Sequence, residues 1–187
     1  MGFVKISNDK INPGKGKRLY RQTYDKDPLP KGVLLFKLNV FYDDQGGWFK
    51  ENLRTDDGGS VSFLKEQGVN FKIRQSNCSC VAGSSKRFWH IHPNQNEIWS
   101  TNSTLLVGLV DLRKSSPTYN VKSKIILSPD KALYIPAGVA HGFINPTHSP
   151  LTLTYFTDQH FLANASTQEN RIDPRDLPFD FVESELM

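Results

Sequence analysis

The chain has 187 residues, 37% of them hydrophobic and 22% charged, with a net charge of +4. That is enough for one domain with a core of its own and too little for two comfortable ones. Two cysteines exclude a disulfide scaffold, and no apolar run reaches the length of a membrane span.

Residues 1–31 are polar and carry Lys10, Lys15, Lys17, Arg18, Arg21 and Lys26. A solvated arm explains this charge better than a nucleic-acid patch, and neither nucleic acid nor a membrane is expected as a partner. The opening MGFVKISNDK has no apolar signal core, so a cytoplasmic location is expected. From Gly32 the texture changes. GVLLFKLNVFYD reads as a strand, Asp43 to Gly47 as a turn, and WFKENLR as extended chain; SFLKEQG reads as a short helix. Strands follow in VNFKIRQSNCSC and KRFWHIHP, then two in EIWSTNSTLLVGLVDL around Asn102-Ser103. Two more flank Pro129-Asp130 in SKIILSPDKALYIPAG, and a last pair flanks Pro146 to Pro150 in HGFINPTHSPLTLTYFTD.

Short strands about ten residues apart, separated by turn signals, predict an antiparallel all-β sandwich or barrel. The lean apolar content is offset by 12 Phe and 6 Tyr, which bury large areas. Residues 1–31 are read as an N-terminal arm, 32–165 as the barrel, and 166–187 as a tail packing on it. Cys78 and Cys80 fit no zinc ribbon and are expected as buried, unreactive thiols.

His90 and His92 alternate on one strand, so both imidazoles face one side, with Glu97 five residues further on. His141 follows a Pro/Gly turn in PAGVAHGFIN. Such residues can converge inside a small barrel. HIHPNQNE and PAGVAHGFIN resemble the two cupin motifs, which implies a double-stranded β-helix, or jelly-roll, barrel.

A longer resemblance is to the dTDP-4-dehydrorhamnose 3,5-epimerase family. DDQGGWFKE, FKIRQSN, KRFWHIH, VDLRKSSPTY, LYIPAGVAHGF, TYFTD and RIDP carry it, from about Gly32 to Pro174. It implies a homodimeric isomerase of deoxysugar biosynthesis, needing no cofactor, that epimerises a nucleotide-diphosphate 4-keto-6-deoxy sugar at C3 and/or C5. His90 takes the position of the general base and Asp173 that of its orienting carboxylate. Arg87, Gln75, Asn77 and His141 fall on substrate-contacting positions. The family's acid, a tyrosine, falls on Thr154. Tyr155 lies beside it, turned by strand alternation to the other face, and His160 stands at a second aromatic position; His160 or Tyr155 is the substitute acid. The enolate-steadying lysine falls on Asn96. Gln45-Gly46 replaces part of an Asp-x-Arg-Gly signature.

Three other functions fit. The Arg87-x-x-His90-x-His92 strand resembles a sugar-nucleotide 3,4-ketoisomerase, in which His92 is catalytic. His90, His92, Glu97 and His141 make a three-histidine, one-carboxylate set suited to a divalent transition metal. A non-catalytic sugar-binding homologue is the fourth reading.

Overall fold

The computed structural model describes residues 3–7, 10–17, 19–22, 28–160 and 170–179. Arg18, Lys26, the expected boundary at 165 and residues 180–187 lie outside the described residues. In chain order the elements are β1 (Phe3–Ile6), β2 (Leu19–Gln22), β3 (Leu34–Lys37), β4 (Val40–Tyr42) and β5 (Trp48–Lys50). The short helix α1 (Ser62–Glu66) precedes β6 (Gln75–Val81), β7 (Lys86–Ile91), β8 (Glu97–Thr101), β9 (Leu105–Asp111) and β10 (Lys122–Leu127). Then come β11 (Lys131–Ile135), β12 (Val139–Ile144), β13 (Leu151–Thr157) and β14 (Asn170–Arg171).

Two five-stranded antiparallel sheets, ordered β10-β9-β12-β7-β14 and β3-β11-β8-β13-β6, face each other. The all-β reading holds. One apolar cluster draws residues from both sheets, among them Trp99, Leu133 and Leu153 on one side and Val107, Leu109 and Phe143 on the other. This cluster fills part of the interior, and the candidate site occupies the rest.

Strands β8, β9 and β12 are buried along their whole length rather than on alternate residues. The reason is cover on both faces. Leu64 of α1, with Phe36 and Phe71, covers Ile98, Ala132 and Tyr134 on the outside of one sheet. On the other, Ile172, Leu177 and Phe179 pack over Trp89, Val110 and Ala140, and the Trp89 indole donates to the Leu177 carbonyl at 3.0 Å.

The N-terminal arm contains a hairpin, β1 pairing antiparallel with β2. A second hairpin, β4–β5, is held to the barrel by Lys50, whose ammonium donates to Ser100 Oγ at 3.0 Å and the Thr101 carbonyl at 2.8 Å. Partial burial pushes the pKa of Lys50 down. Cys78 and Cys80 correct an expectation: both thiols are exposed. Residues two apart share a face, and β6 is an edge strand whose outer face carries them. Among the described residues, no helix is long and apolar enough to cross a membrane.

Candidate active site

A cavity of about 270 Å³ opens between the two sheets. From the first sheet and the chain just past β7, Arg87, His90, His92, His141 and Phe143 face it. From the second come Gln75, Asn77, Glu97, Trp99, Leu153, Tyr155 and Thr157. Eight of the sequence-predicted site residues, Gln75, Asn77, Arg87, His90, His92, Glu97, His141 and Tyr155, therefore converge. Three do not.

Thr154 is the first correction. Strand β13 pairs with β6 and β8 in unbroken register, so alternation puts Leu153, Tyr155 and Thr157 on the cavity side and Thr154 on the other. The phenol that faces the cavity is that of Tyr155, not the Thr154 hydroxyl. Asp173 is the second. Its carboxylate accepts from the backbone and guanidinium of Arg175 at 2.5–3.1 Å, turning it to its own loop instead of to His90. His160 is the third: it is exposed and lies outside the cavity lining.

The facing of Arg87 and His90 is not what plain alternation gives, because they are three residues apart. His141 lies opposite His90 and Phe143 opposite Arg87, so β7 fits three steps against two of β12. This bulge turns Phe88 and Trp89 to the outer apolar cluster and leaves Arg87 and His90 both inward. Gly142 sits against it. A Cβ there would run into the Phe88 ring and lie 2.7 Å from the Arg87 carbonyl, so only glycine fits. Arg87 also spreads over the Phe143 ring at 5.9 Å.

The histidines are close-set. His92 and His141 stack with ring centroids 5.4 Å apart, and His90 lies 6.2 Å from His141. Trp99 meets His141 edge-on at 5.1 Å. Glu97, buried like its neighbours, reaches His92 Nε2 at 3.2 Å and His141 Nε2 at 3.6 Å. Its two oxygens also accept from Gln95 Nε2 at 2.8 Å and Trp99 Nε1 at 2.7 Å. His141 Nδ1 donates to the Val139 carbonyl at 3.0 Å, since a carbonyl can only accept. Gln95 and Trp99 escaped sequence reasoning, although each lies two residues from Glu97.

Asn96, where the resemblance put a lysine, faces away. Its amide holds Asp158 and the backbone N–H of Ala137, which braces the turn before His141. Glu97 takes the cavity position beside it. Among the described residues, the pocket lining thus includes the Glu97 carboxylate and no lysine.

Two antiparallel sheets closed over a histidine-lined pocket define a cupin-type barrel. Its cavity carries groups for proton transfer, and the comparisons go further. The dTDP-4-dehydrorhamnose 3,5-epimerase family model matches residues 29–185, and the chain belongs to that family of isomerases. The spore coat polysaccharide biosynthesis protein SpsL of Bacillus subtilis is 31% identical over 152 residues, spanning 80% of this chain and 89% of that one. A solved dTDP-4-dehydrorhamnose 3,5-epimerase from Sulfolobus tokodaii is 27% identical, with a TM-score of 0.64 over 85% of this chain and 87% of its own. The Bacillus anthracis enzyme, solved with TDP and PPi bound, is 26% identical, with a TM-score of 0.63 over 75% and 78%.

Proposed function

We propose that this protein epimerises a nucleotide-diphosphate 4-keto-6-deoxy sugar at C3 and/or C5, with His90 as base and Tyr155 as acid. One observation carries the reading. His90 on β7 and Tyr155 on β13 project into one cavity from opposing sheets. Inverting a carbon next to a ketone requires a proton to leave one face and another to arrive on the opposite face. A base and a phenol on facing walls fit that need, and general acid–base groups of this kind supply about 10²–10⁴-fold each. Proton transfer needs no organic cofactor.

Arg87, which also faces the cavity, suits the diphosphate or the sugar oxygens. Gln75 and Asn77 are joined by a 2.6 Å side-chain hydrogen bond on the wall that carries Tyr155 and suit the sugar hydroxyls. The cavity is at the small end of ligand sites, which fits the sugar inside and the nucleotide toward the mouth.

A homodimer belongs to the same proposal. The β4–β5 hairpin exposes Phe41, Tyr42, Trp48 and Phe49, with Tyr42 80% exposed, and a second copy would cover these aromatics. So does a cytoplasmic location, which suits two exposed free thiols.

The test is deuterium uptake from solvent into dTDP- and GDP-linked 4-keto-6-deoxy sugars, read at C3 and C5 by NMR. Uptake at either carbon is the expected result. No uptake in either nucleotide series would leave only a binding role for the cavity.

A further inference from the structure

We infer that Trp89 is a positioning residue for His90, held from outside the barrel by residues 170–179, which act as a strap. The strap leaves β14 at one edge of the first sheet and crosses the outer face of that sheet. On the way Ile172, Leu177 and Phe179 pack against Trp89 of β7, Val110 of β9 and Ala140 of β12. At the opposite edge the Lys122 ammonium of β10 donates to the Pro178 carbonyl at 2.7 Å. The strap is tied to the sheet at both edges, with Trp89 beneath it.

The hold falls where β7 is weakest. A bulge disrupts the ladder of its strand and leaves the extra residue without a cross-strand partner. In β7 the disruption lies between Arg87, opposite Phe143, and His90, opposite His141. The strap supplies backbone hydrogen bonds from the other side. Asn170 pairs with Ile91 and Arg171 with His90, and Trp89 and Ile172 exchange both N–H donors at 3.4 Å and 3.2 Å.

The Trp89 side chain completes the arrangement. It is 1% exposed, and its ring meets Phe179 edge-on at 5.2 Å. Its one donor, Nε1–H, goes to the Leu177 carbonyl at 3.0 Å. An indole fixed on both its face and its polar edge fixes the backbone that carries it, and the next residue is His90, which faces the cavity. A catalytic group displaced by 1 Å can lose about 10²-fold in rate. His90 therefore takes its aim from contacts on the outside of the barrel. Only the effect on rate rests on the reading of His90 as the base; the hold on its side chain does not.

The experiment uses the full-length chain. Trp89→Phe keeps an aromatic ring in the outer cluster and removes the donor to Leu177, while Phe179→Ala loosens the strap from its own side. Each should lower kcat for solvent-deuterium uptake into the dTDP- or GDP-linked sugar by about 10-fold or more, with KM little changed. In a His90→Ala background neither substitution should lower the rate further, because a residue that acts through His90 has nothing left to act on. Equal losses in both backgrounds, or a fall in melting temperature with kcat untouched, would make the contact merely structural and overturn the inference. NMR of the chain labelled with ¹⁵N-histidine reads the hold without activity. The His90 imidazole signals, assigned by their loss in His90→Ala, should move in both variants, and those of the exposed His148 should not. Unmoved His90 signals overturn the hold itself. Should the parent chain exchange no sugar proton, the epimerase reading fails and the NMR comparison alone decides the role of the strap. Circular dichroism checks that each variant folds, and if Trp89→Phe does not, Phe179→Ala carries the test.

Discussion

The Gly138 amide donates to the His92 carbonyl across 2.8 Å, joining the two histidine motifs through their backbones. The Gly138 carbonyl in turn accepts from Leu112, and its φ of +78° is open mainly to glycine. A Cβ on Gly138 would lie 2.6 Å from Arg113 Cγ. So the turn that delivers His141 rests on the loop after β9. That loop is tied by Asp111, which is fully buried and accepts from Arg113, Ser116 and Thr118. The VDLRKSSPTY stretch, which carried much of the family resemblance, is thus a brace behind the site and not part of its chemistry.

Replacing His90 with Ala should lower deuterium uptake into the sugar by about 10²–10⁴-fold while leaving the melting temperature close to that of the parent chain. His90 fills no apolar core position, so the loss should lie in the chemistry. Paired NMR exchange and thermal-melt measurements separate the two effects, and uptake at the parental rate would remove His90 as the base.

Tyr155→Phe should divide the reaction. Proton loss to the base continues, so solvent deuterium still enters, but delivery to the opposite face fails and epimer formation falls by about 10²-fold or more. Thr154→Val, on the other face of β13, should change neither rate appreciably. The reverse pattern would restore Thr154 to the site.

Gly142→Ala should destabilise the fold by about 1–3 kcal/mol, because the added methyl meets the Phe88 ring and the Arg87 carbonyl. It should also raise KM more than it lowers kcat, since the bulge is what turns Arg87 inward. Denaturant melts and steady-state kinetics check both.

Asp111 sets part of the acid stability. Burial alone would raise its pKa, but hydrogen bonds from Arg113, Ser116 and Thr118 outweigh it and hold the carboxyl well below the usual range. A carboxylate depressed in the folded state contributes its full stabilisation above its unfolded value of about 3.9, and loses it as pH falls below that. Asp111→Asn should therefore cost about 2 kcal/mol at pH 7 and flatten the acid limb of the stability curve. Melts from pH 2 to 7 would show it; parallel curves for the two proteins would argue against it.

Much of this was legible along the chain. The strands around Asn102-Ser103, Pro129-Asp130 and Pro146 to Pro150 were marked by turn residues and apolar runs, both local signals. The inward facing of His90 and His92 followed from period two. Arg87 was placed by resemblance alone, because alternation counted from His90 would have sent it outward. Thr154 and Tyr155 lie on opposite faces of β13, and which of the two faces is inward is set by the strand's partners. Asp173 failed because a nearby guanidinium, Arg175, captured its carboxylate.

By itself, then, the sequence determined the all-β architecture, the pocket position of His90, His92 and His141, and membership in a family of isomerases. These depend on alternation, turns and short motifs that read the same wherever the chain goes. Only the tertiary structure decided that Tyr155 faces His90 across the cavity, that a bulge brings Arg87 in, and that Glu97 meets His92 and His141. Each of these depends on register between strands far apart in sequence, which the packing of the two sheets sets.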